Sequence, residues 1–220
     1  MKDRAMDNYY IRTNILIVTA AIPVIFGTYH YRKLDIGTKI FFYLAVFSFI
    51  DESVAYYSAL HYHNNMFIYN IANIIEVFIV SLYFNATIKF FKERNFGIII
   101  GILSVIFGII NNFFIQSPNG ITNYFLFFQA LITIAMSIFS LSMFMIHGSG
   151  NVKKEVHFWF PAILMFSWSS VYLLFTLVKY YKKGPVVDFA VLALFAVSVI
   201  TNLAIAVVFW FYPKMYAYER

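Results

Sequence analysis

The chain has 220 residues, a formal net charge of +6, 62% hydrophobic residues, 12% charged residues and a mean hydropathy of +0.76. A soluble domain is about half apolar and about a quarter charged, so these values exclude a soluble enzyme and a disordered chain. The 16 Lys and Arg residues sit in short clusters between apolar runs, a pattern that orients membrane helices and does not bind nucleic acid.

A bilayer core about 30 Å thick takes roughly 20 residues per helix. Seven stretches qualify: residues 11–31, 39–60, 66–89, 96–115, 121–147, 157–180 and 188–212. The breaks carry turn chemistry, as in Asp35-Ile36-Gly37, Ser117-Pro118-Asn119-Gly120 and Gly184-Pro185. The expected fold is therefore all-α: one integral membrane bundle of seven transmembrane helices, formed by residues 1–220 as a single domain in a lipid bilayer. No connection is long enough for a soluble catalytic module. The first ten residues are polar, and no cleavable signal peptide is expected. Cysteine is absent, which excludes disulfides, thiolate metal sites and cysteine nucleophiles. No internal repeat supports an inverted-repeat transporter.

Orientation follows from the basic residues. The amino-terminal side of the bundle would carry Lys2, Arg4, Arg12, Lys179, Lys182 and Lys183. The opposite side would carry Arg32, Lys33, Lys39, Lys89, Lys92, Arg94, Lys153, Lys154, Lys214 and Arg220, spread over every segment. The positive-inside rule then puts the amino terminus outside and the carboxyl terminus inside. A bacterial cytoplasmic (inner) membrane is the expected location.

Three acids lie within spans: Asp51 and Glu52 in the second, Glu76 in the third. No Lys, Arg or His lies near mid-span to pair with them. Ionisable groups at membrane depth are expensive and usually face the bundle interior. Spans two and three should be antiparallel neighbours, so Asp51 and Glu76 are expected to approach one another as a proton or cation site. Glu52 lies about 100° round the helix from Asp51, so the two are expected to serve different targets. In the third span Tyr69, Asn73, Glu76, Tyr83 and Thr87, with Val80 between, form one narrow seam. That seam should point inward, either to line a ligand site or to pack helices through hydrogen bonds. Gln129, Ser169 and Asn202 are expected to join Asp51, Glu52, Tyr69, Asn73 and Glu76 in an outward-opening pocket. Asn70, Asn111, Asn112 and Asn123 fall nearer span ends, where Asn commonly marks turns.

His61 and His63 are better read as solvated loop histidines than as a metal site. His30, His147 and His157 fall at inner span ends and read as interfacial. No cofactor is expected: phosphate-cradling loops, zinc-hydrolase motifs and nucleophile elbows are all missing from the sequence.

Seven spans with an external amino terminus resemble microbial rhodopsins. Those attach retinal to a lysine in the last helix. Here Ser198-Val199-Ile200-Thr201-Asn202 stands in that region, which excludes a retinal Schiff base. Integral-membrane ceramidase-like hydrolases are similar in size, but their zinc site needs histidines within the bundle, and all five histidines here lie at span ends. The second and third spans, with their acidic second helix, short outer connector and central Glu76, resemble the small seven-helix sensory modules of bacterial histidine kinases. That resemblance implies a sensor acting through a membrane or cytoplasmic signalling partner, with a small molecule or proton as ligand. A proton- or cation-coupled transporter and an intramembrane lipid-modifying enzyme are the competing readings.

Overall fold

The computed structural model describes residues 2–62, 64–147, 155–181 and 183–216, with the backbone alone for 2–9, 147 and 216. His63 and the connector 148–151 lie outside the described residues. Apolar composition over the length of a bilayer, with no water to satisfy the backbone, leaves the helix as the available structure. The chain forms α1 (Lys2–His30), α2 (Ile36–Tyr62), α3 (Met66–Thr87), α4 (Lys89–Arg94), α5 (Phe96–Ile110), α6 (Asn123–His147), α7 (Val156–Tyr181) and α8 (Pro185–Tyr216). All but α4 are long and apolar enough, with flanking turns, to cross a membrane, which gives seven spans as expected.

One boundary differs from the hydropathy pattern. The third span stops at Thr87, and Lys89 begins the short α4, which buries Phe91 and exposes Lys89, Lys92, Glu93 and Arg94. Asn95 then turns the chain in the left-handed region, at φ 51°, a conformation that Asn tolerates better than most residues. The fourth span ends in a π-helical turn, Asn111–Ile115.

Six helices close a ring. In order around it, α1 packs against α2, α2 against α3, α3 against α6, α6 against α7, α7 against α8, and α8 against α1. The seventh, α5, packs on the outside of α3 and touches α6 only slightly. Large apolar side chains such as Ile99, Ile102, Leu103 and Ile106 of α5 are exposed, as suits a surface that faces lipid. Its inward stripe is small: Gly97, Gly101, Ser104 and Gly108 are buried. Between helices in lipid, association depends on close packing, and small residues permit it.

The ring is filled at one level by aromatics. Phe41 stacks on Phe160 with ring centroids 3.9 Å apart, Tyr83 meets both edge-on, and Phe209 packs on Phe160 at 5.5 Å. All four are fully buried. This plug joins α2, α3, α7 and α8.

The glycine stripe yields a test. A Cβ on Gly97 would lie 2.6 Å from the Ser81 carbonyl oxygen and 2.9 Å from the Asn85 nitrogen, and backbone atoms do not step aside. Gly97→Ala should destabilise the bundle by about 1–3 kcal/mol, read as a lower melting temperature in detergent. Gly120→Ala, whose nearest atom would be 3.9 Å away, should melt like the parent.

Candidate functional site

The centre of the ring holds a cavity of about 670 Å³ that reaches the amino-terminal end of the bundle, between the ends of α2, α3, α7 and α8. Its walls come from α1, α2, α3, α6, α7 and α8, but not from α5. Arg12 and Asp188 stand near its mouth. Asp51, Glu52 and Glu76 lie deeper, with Ser167, Trp168, Thr201 and Asn202 around them.

The seam on α3 faces inward as expected. Tyr69, Asn73 and Glu76 line the cavity, Val80 is fully buried below them, and Tyr83 and Thr87 continue towards the other end. Tyr69 donates its hydroxyl hydrogen to Glu52 Oε2 at 3.1 Å, which ties α3 to α2. Glu76 receives a long hydrogen bond, 3.5 Å, from Gln129 Nε2 on α6, and the Trp168 indole on α7 also reaches its carboxyl. Asp51 interacts electrostatically with both Glu52 and Glu76. Asn202 Nδ2 donates to Thr19 Oγ1 of α1 at 3.5 Å. Gln129 is fully buried behind Glu76 and does not itself border the cavity.

Asp51 and Glu52 both line the cavity, and Glu52 is the one that accepts from Tyr69. Two expected members of the pocket need correction. Gln129, fully buried, does not border the cavity. Ser169 is exposed on the outside of the bundle. The inward face of α7 is given by Ser167 and Trp168, and one further residue carries the side chain round to the membrane side.

Some polar groups in this region are structural. Asn70 Nδ2 donates to the carbonyls of Pro118 and Gly120, each at 2.8 Å, and its Oδ1 accepts from Thr122 Oγ1. Asn112 Nδ2 donates to the Asn70 carbonyl. Asn111 and Asn112 are fully buried, so they do more than mark a span end. They fasten the π turn of α5 and the following loop onto α3.

The described side chains also include buried atoms that no protein group satisfies. Gln129 Oε1 and Thr201 Oγ1 are two of them, and Thr133, Ser137 and Ser140 continue down α6 with unpaired hydroxyls. An unmade hydrogen bond at such a group costs about 1–3 kcal/mol. Elsewhere in the bundle, Ser81, Thr87 and Ser104 donate to the carbonyl four residues back.

A second polar cluster closes the opposite end, and the sequence reading missed it. Asp35 caps α2, with Oδ1 accepting from the Thr38 N–H at 2.9 Å and Oδ2 from the Thr38 hydroxyl at 2.8 Å. Tyr212 of α8 donates to Asp35 Oδ2 at 3.0 Å and accepts the Asp35 N–H at 2.9 Å. His157 Nε2 of α7 lies 3.3 Å from Asp35 Oδ2, and Tyr83 of α3 is 3.4 Å from His157 Nδ1. With Nε2–H donating to Asp35, a neutral ring has Nδ1 left to accept from Tyr83. One carboxylate thus joins α2, α7 and α8 directly, and α3 through His157. The Asp-x-x-Thr spacing at the start of the second span was the available signal, since Asp at an N-cap bonds the N–H three residues on. His157 is accordingly a partner of Asp35, not a free interfacial histidine. Among the described residues, no group of three or more His, Asp or Glu could hold a metal ion.

Burial works against the charge on Asp35, but the hydrogen bond and charge of His157, with the Thr38 amide and hydroxyl, outweigh it. They hold the carboxyl well below the ordinary carboxylate range. A carboxyl lowered on folding stabilises the fold above its ordinary value and loses that contribution as pH falls through the folded value. Asp35→Asn should therefore melt lower by about 2 kcal/mol or more. The gap between parent and variant should be present at about pH 5 and narrow as pH falls from there towards about 2, because the contribution of a lowered carboxyl is lost between its unfolded and folded values. Thermal melts across that range check both statements.

No protein-family model matches the chain, and no curated protein or solved structure matches it either.

Proposed function

We propose that this chain is a receptor-like protein of a bacterial cytoplasmic membrane, with its amino-terminal side outward. It takes a small ligand into the central cavity and acts through a membrane or cytoplasmic signalling partner. The observation that carries this reading is one-sided access. The cavity reaches the amino-terminal end, while Phe41, Tyr83, Phe160 and Phe209 fill the ring below it and the Asp35 cluster ties the far ends of four helices together. A receptor needs a site reachable from one face, whereas a transporter must expose the same site to both. The mixture of carboxyls, amides, hydroxyls and one indole suits a ligand held by a few directed contacts within an otherwise apolar wall. The spread of Lys and Arg supports the orientation.

The cysteine-free sequence makes access measurable. Asn73→Cys, Ser167→Cys and Asn202→Cys should react with a membrane-impermeant thiol reagent from the amino-terminal face only. Ser169→Cys, on the lipid side of α7, should resist it from both faces, because the reactive thiolate needs water. Reaction of the cavity positions from both faces would remove the receptor reading in favour of transport. Reaction from neither would make the cavity a dry packing defect.

One observation favours a second reading. Gln129, Thr133, Ser137 and Ser140 run down one face of α6 from the Glu76 carboxyl, fully buried and with oxygens unpaired. Such a file is the material of a proton relay. If it conducts, proteoliposomes with an imposed potential should acidify, and Ser137→Ala should slow the flux severalfold. Equal dye responses with and without the protein would rule the relay out.

A further inference from the structure

We propose that the cavity's ligand is a membrane-borne amphiphile with an ammonium head, which enters sideways between α6 and α7 and leaves its apolar chain in the groove there. This rests on the cavity being a ligand site, as proposed above.

The first observation is geometric. A groove of about 550 Å³ lies between α6 and α7 near the amino-terminal end, walled by Tyr124 and Phe127 on one side and Tyr172 and Lys179 on the other. Phe127 and Tyr172 pack across it with ring centroids 5.2 Å apart. Leu126 and Phe175 line this groove and also the central cavity. Those two side chains are thus a partition shared by a membrane-facing void and a polar one. Two flexible apolar side chains make a partition that opens by changing rotamer, with no helix unwound and no backbone hydrogen bond broken.

The second observation is the division of charge. The cavity lining holds Asp51, Glu52, Glu76 and Asp188 against Arg12 alone. In the groove lining the charged residue is Lys179, whose ammonium lies 5.7 Å from the centre of the Tyr124 ring. A cationic head is repelled beside Lys179 and attracted beside the carboxyls, so the head belongs in the cavity and the chain in the groove. Trp168 also lines the chamber, and an indole attracts an ammonium. Thr201 Oγ1, a buried and unpaired hydroxyl of the cavity lining, adds an oxygen that can accept one of the head's N–H groups.

Depth sets the length of the chain. Glu76 sits at the level of Gln129, which bonds it, and Leu126 lies three residues, about 5 Å, nearer the start of α6. A chain must climb about 5 Å from the Glu76 carboxyl before it reaches the partition. Short amines end at the partition and gain nothing from the groove.

The test uses the full-length protein in phosphatidylcholine nanodiscs and dodecylamine carrying a diazirine near its tail. Irradiation should place adducts on Leu126, Phe127, Tyr172 or Phe175. Unlabelled dodecylamine should compete at least about tenfold better than butylamine, a difference of about 1.4 kcal/mol. The pair Asp51→Asn and Glu76→Gln should cut labelling about tenfold or more. Leu126→Trp, which thickens the partition and leaves every carboxyl in place, should cut it as well and covers the case in which the carboxyl variants fold poorly. Equal labelling by the dodecanoate analogue, or adducts elsewhere, would overturn the proposal. Equal competition by butylamine would assign the site to a water-borne amine and overturn the sideways route. The Asn73→Cys reaction separates the two levels. If that position reacts from the amino-terminal face while the amine probe fails, the cavity stands as a site and the amphiphile falls.

Discussion

Hydrocarbon gives no hydrogen bonds, and the rest of this structure depends on that constraint. The ionisable and amide side chains deep within the spans turn inward to find a partner, or line a space that admits one. Asp51, Glu52, Glu76, Tyr69, Asn73 and Asn202 meet the requirement around one chamber. Asp35, Thr38, Tyr83, His157 and Tyr212 meet it by bonding to one another. Between them lies a level of packed aromatics that needs no polar partner. The bundle therefore has an open polar end, a dry middle and a latched polar end.

The outer surface obeys the same constraint in reverse. On α5 the bulky aliphatics face out and the glycines face in, the opposite of a helix in water. With no hydrophobic gain to be had between helices, contact area must come from close approach. Gly97 and Gly101 supply it against Ser81, Asn85 and Phe78. The helix that packs this way is also the one that leaves the cavity unlined. Its role is support for α3, reinforced at one end by Asn112 bonding to the Asn70 carbonyl.

Length and periodicity were enough to read the seven spans, because a bilayer imposes a minimum apolar run and leaves little choice of secondary structure. The inward direction of Tyr69, Asn73 and Glu76 was legible for the same reason. What the sequence did not display was any relation between distant segments. Asp35 and Tyr212 are 177 residues apart, and nothing local to either announces the other. The N-cap pattern at Asp35 and Thr38 could be read, but only the ring order brings α7 and α8 to it. Ser169 was misplaced because four consecutive residues that can each hydrogen-bond, Ser167-Trp168-Ser169-Ser170, give no phase for the helix.

The seam on α3 has a mechanical consequence. It touches the chamber at Tyr69, Asn73 and Glu76 and the latch at Tyr83, and between these points the helix contains neither proline nor glycine. Proline does interrupt α1, α7 and α8, at Pro23, Pro161 and Pro213, and such sites absorb bending. An uninterrupted helix is stiff in torsion. It would behave as an axle, carrying a twist applied at Glu76 to Tyr83, whose ring packs on Phe41 and Phe160 in the aromatic layer.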